Sequence, residues 1–323
     1  MRRYEEVAFV RTRPLGTDGP PVSVIGLGCN NFGMTIDQGA ATDVVGAALD
    51  AGITHFDTAE TYGGGRSEEM LGKALGRRRS EAFIATKAAR RPDDEPWSPG
   101  ALSRRIREGC EISLRRLGTD AIDLYYEHHR DPQAPVDEVL QAFDDLVRSG
   151  KVRHVGCSNW SAADIHTGQA VAADHDWPWC RASQLHWSLL ARHEETTTVP
   201  AAAAAGLGVV PYFPLASGLL TGKYRAGQPF PSGSRLERMP RFAAVATEAN
   251  LAAVQRLAAF AEERGHRLVE LALAWLLGHG DVSSVIAGAT TADQVRANAA
   301  GADWVLTAAE VAQVAALAPT VGP

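Results

Sequence analysis

Short apolar runs rich in β-branched residues alternate along the chain with longer segments whose apolar positions recur at helical spacing. The runs at 22–28 (VSVIGLG), 54–57 (THFD), 82–87 (AFIATK), 121–126 (AIDLYY), 152–158 (VRHVGCS), 181–186 (RASQLH), 207–212 (LGVVPY) and 282–288 (VSSVIAG) read as strands. Segments 40–51, 67–75, 99–117, 136–148, 162–173, 194–205 and 246–264 with 268–277 read as the intervening helices, and 292–299 and 308–317 as closing helices. Gly52, Gly118, Gly150 and Gly206 suit the helix stops, and Ser67 and Ser98 suit helix starts. Eight strand–helix units predict an α/β fold, a (β/α)8 TIM barrel, as one domain over 1–323. A doubly wound sheet is the alternative. It is disfavoured because GLGCNNFG after the first strand lacks the G-x-G-x-x-G spacing and no acidic ribose partner follows. Ahead of the first strand, the Gly/Pro turn within FVRTRPLGTDGPPVSVIG predicts a β-hairpin that closes the barrel floor. After the seventh strand, 214–244 is rich in Gly, Pro and basic residues, a long loop expected over the C-terminal face as a lid or cofactor clasp.

Composition narrows this picture. The 323 residues are 45% hydrophobic, enough for one large core. Net charge is −6, so no basic field invites nucleic acid. The Arg77–Arg79 cluster reads as a solvated helix C-terminus. Cys29, Cys110, Cys157 and Cys180 match neither a zinc pattern nor a disulfide framework, which predicts reduced thiols and a cytoplasmic protein. The segment MRRYEEVAFVRTR has no apolar core, so no secretory leader is expected. Residues 199–220 carry no charge, but Pro200, Gly206, Gly208, Pro211, Pro214 and Gly218 interrupt them; they read as helix end, buried strand and loop rather than as a membrane span. The expected partner is a small molecule, and the oligomeric state stays open.

Three consecutive predicted strands end on or beside Asp57, Lys87 and His128, and Tyr62 follows the first of them closely. Singly, each has an ordinary explanation: a helix cap, a surface lysine, a rim aromatic, and a histidine no more available than His129. A barrel would gather all four at one mouth. There they suit reduction of a carbonyl. Tyr62 would donate the proton that the developing alkoxide needs, although a free phenol titrates near pH ~10. Lys87 would lower that value, Asp57 would hold the charge on Lys87, and His128 would polarise the carbonyl oxygen. A metal-dependent hydrolase using His128, His129 and Asp131 is a weaker reading, because neighbours on a strand point to opposite faces; no metal is expected.

The segments FDTAETYG, IATK, DLYYEH, GCSN and PYFPLASGLLTGKY, in that order, resemble the signatures of the aldo-keto reductase superfamily, and the resemblance spans nearly the whole chain. It implies a catalytic tetrad of Asp57, Tyr62, Lys87 and His128, the histidine lying five residues after Asp123. It implies an extended nicotinamide cofactor, with NADP(H) favoured and NAD(H) the alternative. Ser158, Asn159 and Gln184 match the family's carboxamide-holding positions, and Tyr212 the aromatic that stacks on the nicotinamide. Leu215, Ser217, Leu219 and Lys223 match its pyrophosphate side, and Gly288, Thr290, Gln294 and Asn298 its adenosine-phosphate segment. Some members carry Lys or Arg where this chain has Gly288 and Gln294; Arg296 is expected to face solvent. Asn31, with its neighbours Asn30 and Phe32, and Trp97, His129, Trp160 and Trp187 are the candidate substrate wall, suited to an aldehyde, ketone or keto-sugar. The resemblance also includes channel-associated regulatory subunits. The alternative function is therefore a nicotinamide-binding regulatory or redox-sensing module with slow turnover.

Overall fold

The computed structural model describes residues 9–88 and 97–318. Its strands are β1 (Thr12–Pro14), β2 (Pro21–Ser23), β3 (Ile25–Gly28), β4 (His55–Asp57), β5 (Phe83–Ala88), β6 (Ile122–Glu127), β7 (Val152–Ser158), β8 (Ala182–His186), β9 (Gly208–Tyr212) and β10 (Val285–Gly288). β1 and β2 form an antiparallel hairpin. β3 to β10 close in sequence order into a parallel barrel, with β10 pairing back onto β3. Helices Gln38–Asp50, Arg66–Leu75, Ala101–Leu117, Val136–Arg148, Ala162–His175 and Thr198–Ala204 link successive strands, and Glu248–Glu262 with Leu268–Leu277 links β9 to β10. The expected TIM barrel is the observed fold.

Parallel strands sandwiched between a barrel interior and a helical shell bury both faces, which is why they read as continuous apolar runs. All six residues of β6, IDLYYE, are buried. The interior cluster contains Ala85, Leu124, Tyr126, Ala182, Val210 and Ile286, together with Leu15 and Val22 of the hairpin. The hairpin therefore plugs the floor with two apolar side chains. Its turn sits hard against the strand starts: a Cβ on Gly16 (φ +73°) would lie 2.6 Å from the Gly206 carbonyl oxygen.

Three departures from the expected elements have local causes. The 22–28 run splits at Val24, its first half joining the hairpin and its second half the barrel. Ser23 Oγ stabilises the break, accepting from the amides of Thr54 and His55 and donating to the Ile25 carbonyl. The 194–205 helix breaks into a 3-10 turn, His193–Thr196, and the short helix Thr198–Ala204. Pro200 has no N–H and fits only a first helical turn, so the helix restarts just before it. Arg79 is not a solvated cap: it reaches the buried Asp123 at 2.9 Å, which also accepts from the Ile84 amide. The uncharged stretch 199–220 is divided among a helix, β9 and a 3-10 turn, and no helix among the described residues is long and apolar enough to cross a membrane. The 214–244 loop contains the turns Ala216–Thr221 and Pro240–Val245 and the helix Arg235–Arg238.

Candidate active site

In a parallel barrel every C-terminal strand end opens onto the same mouth. Asp57 ends β4, Lys87 is next to last in β5, and His128 follows the last residue of β6. Tyr62 reaches the mouth on the tight turn Tyr62–Gly65, in which Gly63, Gly64 and Gly65 all have positive φ. At Gly65 the left-handed backbone (φ +93°) itself favours glycine.

The four side chains lie together. Lys87 Nζ donates to Asp57 Oδ1 at 2.6 Å and to the Thr58 carbonyl at 2.8 Å. Asp57 Oδ2 accepts from Gln184 Nε2 at 2.8 Å. The Lys87 ammonium stands 5.2 Å from the Tyr62 ring centroid, and the Tyr62 and His128 rings meet edge to face at 5.8 Å. Burial alone would strip the proton from Lys87; its interactions with Asp57 and Tyr62 more than offset this and hold its pKa above the ordinary value. Burial pushes Tyr62 upward, the Lys87 charge and hydrogen bond pull it down, and the net is raised. The expected depression by Lys87 is present, but burial outweighs it. Burial, helped by Lys87 and His129, drops His128 to about 2, so its imidazole is neutral at any ordinary pH.

His128 and His129 do not point to opposite faces. β6 ends at Glu127, so strand alternation no longer applies, and the two rings stack at 4.5 Å. Among the described residues, no group of three or more His, Cys, Asp or Glu is arranged to hold a metal, and the four cysteines are buried and unbridged.

The remaining candidates surround this centre. Ser158 is buried at the end of β7. Asn159, in left-handed backbone at φ +56°, donates to the His128 carbonyl at 2.9 Å and accepts from the Tyr212 hydroxyl at 2.8 Å. Burial lifts Tyr212 to about 12, so its hydroxyl stays protonated. In the following turn Phe213, Ala216 and Ser217 also have positive φ, a run of strained residues of the kind that persists at binding sites. Leu219 is fully buried and Leu215 half-buried, anchoring that turn, while Lys223 folds over Gly218 and the Tyr224 ring. At the end of β10, Gly288 is exposed, and Asn298 is buried and donates to its carbonyl at 3.5 Å. Gln294 Oε1 accepts from the amide and hydroxyl of Thr290. Arg296 is exposed and paired with Asp293.

The candidate substrate wall is not one surface. His129 is exposed at the mouth, with Nδ1 3.1 Å from Asn159 Nδ2. Trp160 is buried and donates to Glu127, although it also edges a cavity of about 530 Å³ that Asn159, His186, His193 and Tyr212 line. Trp187 is fully buried, packed edge to face on Trp275 at 5.8 Å, so it is a core residue and does not reach the mouth. His186, the last residue of β8, faces Tyr212 instead. Asn31 donates to the Ala289 carbonyl at 3.4 Å, beside β10 rather than beside His128. Phe32 is fully buried, and Trp97 packs half-buried on the outer core.

Two further residues belong at the mouth. The His186 ring stacks on Tyr212 at 5.4 Å and 11°, covering one face of the phenol. Its place two residues after Gln184, on the same face of the strand, was the available signal. The Arg235 guanidinium lies over Phe213 at 5.1 Å and Phe242 at 4.6 Å, within electrostatic reach of Tyr62. It pairs with no carboxylate among the described residues, and burial lowers its pKa. Nothing local in SGSRLERM marks it.

Comparison with known proteins agrees with this geometry. The Aldo/keto reductase family profile matches residues 24–319. The chain is 37% identical over 293 residues to the uncharacterized oxidoreductase YrpG of Bacillus subtilis, covering 87% of this chain and 88% of that one. It is 36% identical over 300 residues to a probable voltage-gated potassium channel subunit beta of Arabidopsis thaliana, covering 90% of each. It is 34% identical over 292 residues to probable aldo-keto reductase 1 of Glycine max, covering 88% of this chain and 82% of that one. With the family match running from the hairpin's end to the last helix and these relatives aligned over most of their lengths, the chain belongs to the aldo/keto reductase family of oxidoreductases.

Proposed function

We propose that this oxidoreductase reduces an aldehyde, ketone or keto-sugar carbonyl to the alcohol with NADP(H), Tyr62 donating the proton. The observation that carries the proposal is the buried Lys87–Asp57 pair beside a protonated Tyr62 and a neutral His128. A buried ammonium held this tightly is costly as scaffold alone; as a charge beside a phenol it has chemical use.

The residues present fit a nicotinamide dinucleotide. Ser158, Asn159 and Gln184 offer neutral hydroxyl and amide groups suited to a carboxamide, and Tyr212 has one ring face turned away from His186. The positive-φ turn after β9, Lys223 and Arg235 suit anionic phosphates. Thr290 and the start of helix Ala292–Ala300, capped by Thr291, suit the adenosine end and its 2′-phosphate. When bound, the cofactor supplies hydride to the carbonyl carbon. His128 donates a ring N–H to the carbonyl oxygen and aligns it. Tyr62 gives its proton to that oxygen as negative charge develops. Lys87 stabilises the phenolate left behind, and Asp57 keeps Lys87 charged and in place. Gln184, bonded to Asp57, links that relay to the carboxamide side.

A second reading has independent support from the relatives named as potassium channel beta subunits in Arabidopsis thaliana and Oryza sativa: a cofactor-binding regulatory module with slow turnover. Single-turnover oxidation of bound NADPH by 4-nitrobenzaldehyde separates the two. The reductase reading expects turnover at ordinary enzyme rates, and expects Tyr62→Phe to lose about a thousandfold or more while binding NADPH within about threefold of the parent. Near-parent turnover by Tyr62→Phe would remove Tyr62 as the donor. Fluorescence titration with NADPH and NADH tests the coenzyme preference; equal affinity would remove the assignment of a 2′-phosphate site.

A further inference from the structure

Glu127 has no role in the chemistry above, yet it is a buried acid one residue before His128. It ends β6 with 3% exposure, and strand alternation turns it away from the barrel interior that Tyr126 occupies. Its surroundings are specific. Trp160 Nε1 donates to Oε2 at 2.5 Å, the Asp131 amide to Oε1 at 3.4 Å, and the Arg130 guanidinium approaches Oε1 at 3.9 Å. Arg130 lies over the Trp160 ring at 5.8 Å and reaches Asp164 of helix Ala162–His175 at 3.5 Å.

Two parallel ties thus join the turn after β6 to the turn after β7. One runs from Asn159 Nδ2 to the His128 carbonyl, the other from Trp160 to Glu127. Asn159, itself one anchor point and next in the chain to the other, turns through a left-handed backbone at φ +56°, so the hold on Trp160 bears directly on where its side chain is presented. We propose that Glu127 is a positioning residue for the reaction: by gripping the Trp160 indole from outside the barrel, it holds Asn159 in the geometry that receives the cofactor's carboxamide. The proposal rests on the reading of Asn159 as a carboxamide ligand.

Ionisation adds a signature. Burial raises Glu127 to about 7, against the lowering effects of Arg130 and Trp160. The other ionisable groups around it are Asp131 in the following turn, Asp164 through Arg130, and Cys180, which is hydrogen-bonded to Cys157 of β7. Above neutrality the ionised carboxylate makes the stronger, charge-assisted bond to the indole; below it the grip loosens.

The test uses the full chain with Trp160→Phe, Glu127→Leu, Glu127→Gln and, as a control, Asn159→Ala. NADPH dissociation constants come from fluorescence titration between pH 6 and 8.5, kcat and KM from turnover with 4-nitrobenzaldehyde, and folded fractions from urea unfolding. Trp160→Phe and Glu127→Leu should raise the NADPH Kd about tenfold while kcat falls by less than about threefold. Glu127→Gln keeps one acceptor for the indole, so it should bind about as the parent does at pH 6 and lack the parent's tightening toward pH 8. A purely structural role would lower the unfolding midpoint and leave the Kd of the folded fraction unchanged. Parent-like Kd in Trp160→Phe and Glu127→Leu, with Asn159→Ala weakened, would overturn the clamp alone. Parent-like Kd in Asn159→Ala would overturn the carboxamide reading and the clamp with it.

Discussion

Asp57 spends both oxygens on different partners, Lys87 on one and Gln184 on the other, and Lys87 adds the Thr58 carbonyl. No member can be removed without stranding another in a nearly water-free place. Lys87→Met should therefore abolish single-turnover reduction and also cost about 3–5 kcal/mol in urea unfolding, because a buried carboxylate loses its cation. Lys87→Met with Asp57→Asn should recover most of that stability and none of the reduction. Recovery of turnover in the double variant would show that the ammonium is not needed chemically. This centre was legible in the chain because each residue sits at or just past a strand end, in short segments whose order survives without knowledge of packing. His186 and Arg235 were not legible in the same way. Their importance comes from the rings they meet, Tyr212 in one case and Phe213 with Phe242 in the other, and those contacts join parts of the chain that no local pattern connects. Trp187 shows the converse. It is as aromatic and as near the strand end as its neighbour His186, but it lies one residue past the strand and packs into the shell against Trp275.

At the scale of elements, alternation of strands and helices was readable because it repeats, whereas the places where the chain changes direction were not. The split at Val24 depends on the Ser23 hydroxyl replacing ladder partners, and the broken helix before β9 depends on Pro200. The position of the long loop after β9 was legible, but not its internal structure. Its physical content is that Phe213, at its start, and Phe242, near its far end, enclose the Arg235 side chain between them. An arginine so placed closes the loop on itself while keeping its charge available, since no carboxylate among the described residues neutralises it. Arg235→Leu preserves apolar contact with both rings and removes only the charge. It should raise the NADPH Kd about tenfold at low salt, reduce the salt dependence of binding, and leave kcat within about threefold. Fluorescence titration at two ionic strengths measures this; an unchanged salt dependence would mean that the guanidinium serves the loop and not an anionic ligand.

For the whole molecule, two buried groups at opposite ends of the barrel wall set opposing responses to acid. His55, fully buried in β4, lies 2.9 Å from Ser284 Oγ, which spends its own proton on the Ser23 carbonyl. The imidazole must then donate from Nδ1, and burial, by lowering its pKa to about 4, keeps it neutral near pH ~7. A histidine with a depressed folded pKa stabilises fully above its unfolded value near ~6.5 and loses that contribution as pH falls toward 4, about 3 kcal/mol in all. Glu127 runs the other way. Its folded pKa of about 7 lies above the ordinary carboxylate range, so the folded state takes up a proton first and gains stability as pH falls from 7 toward 4.5, again by about 3 kcal/mol. Between pH 7 and 5 the two largely cancel, and the parent's unfolding free energy should change little on their account. Glu127→Gln removes one arm of the balance. Relative to the parent it should lose about 2–3 kcal/mol between pH 7 and 5, seen as diverging urea midpoints at pH 5, 6, 7 and 8. Parallel midpoint curves for the two proteins would show that Glu127 titrates alike in the folded and unfolded chain, as a carboxyl reached by water does, and would remove the pH signature of its grip on Trp160.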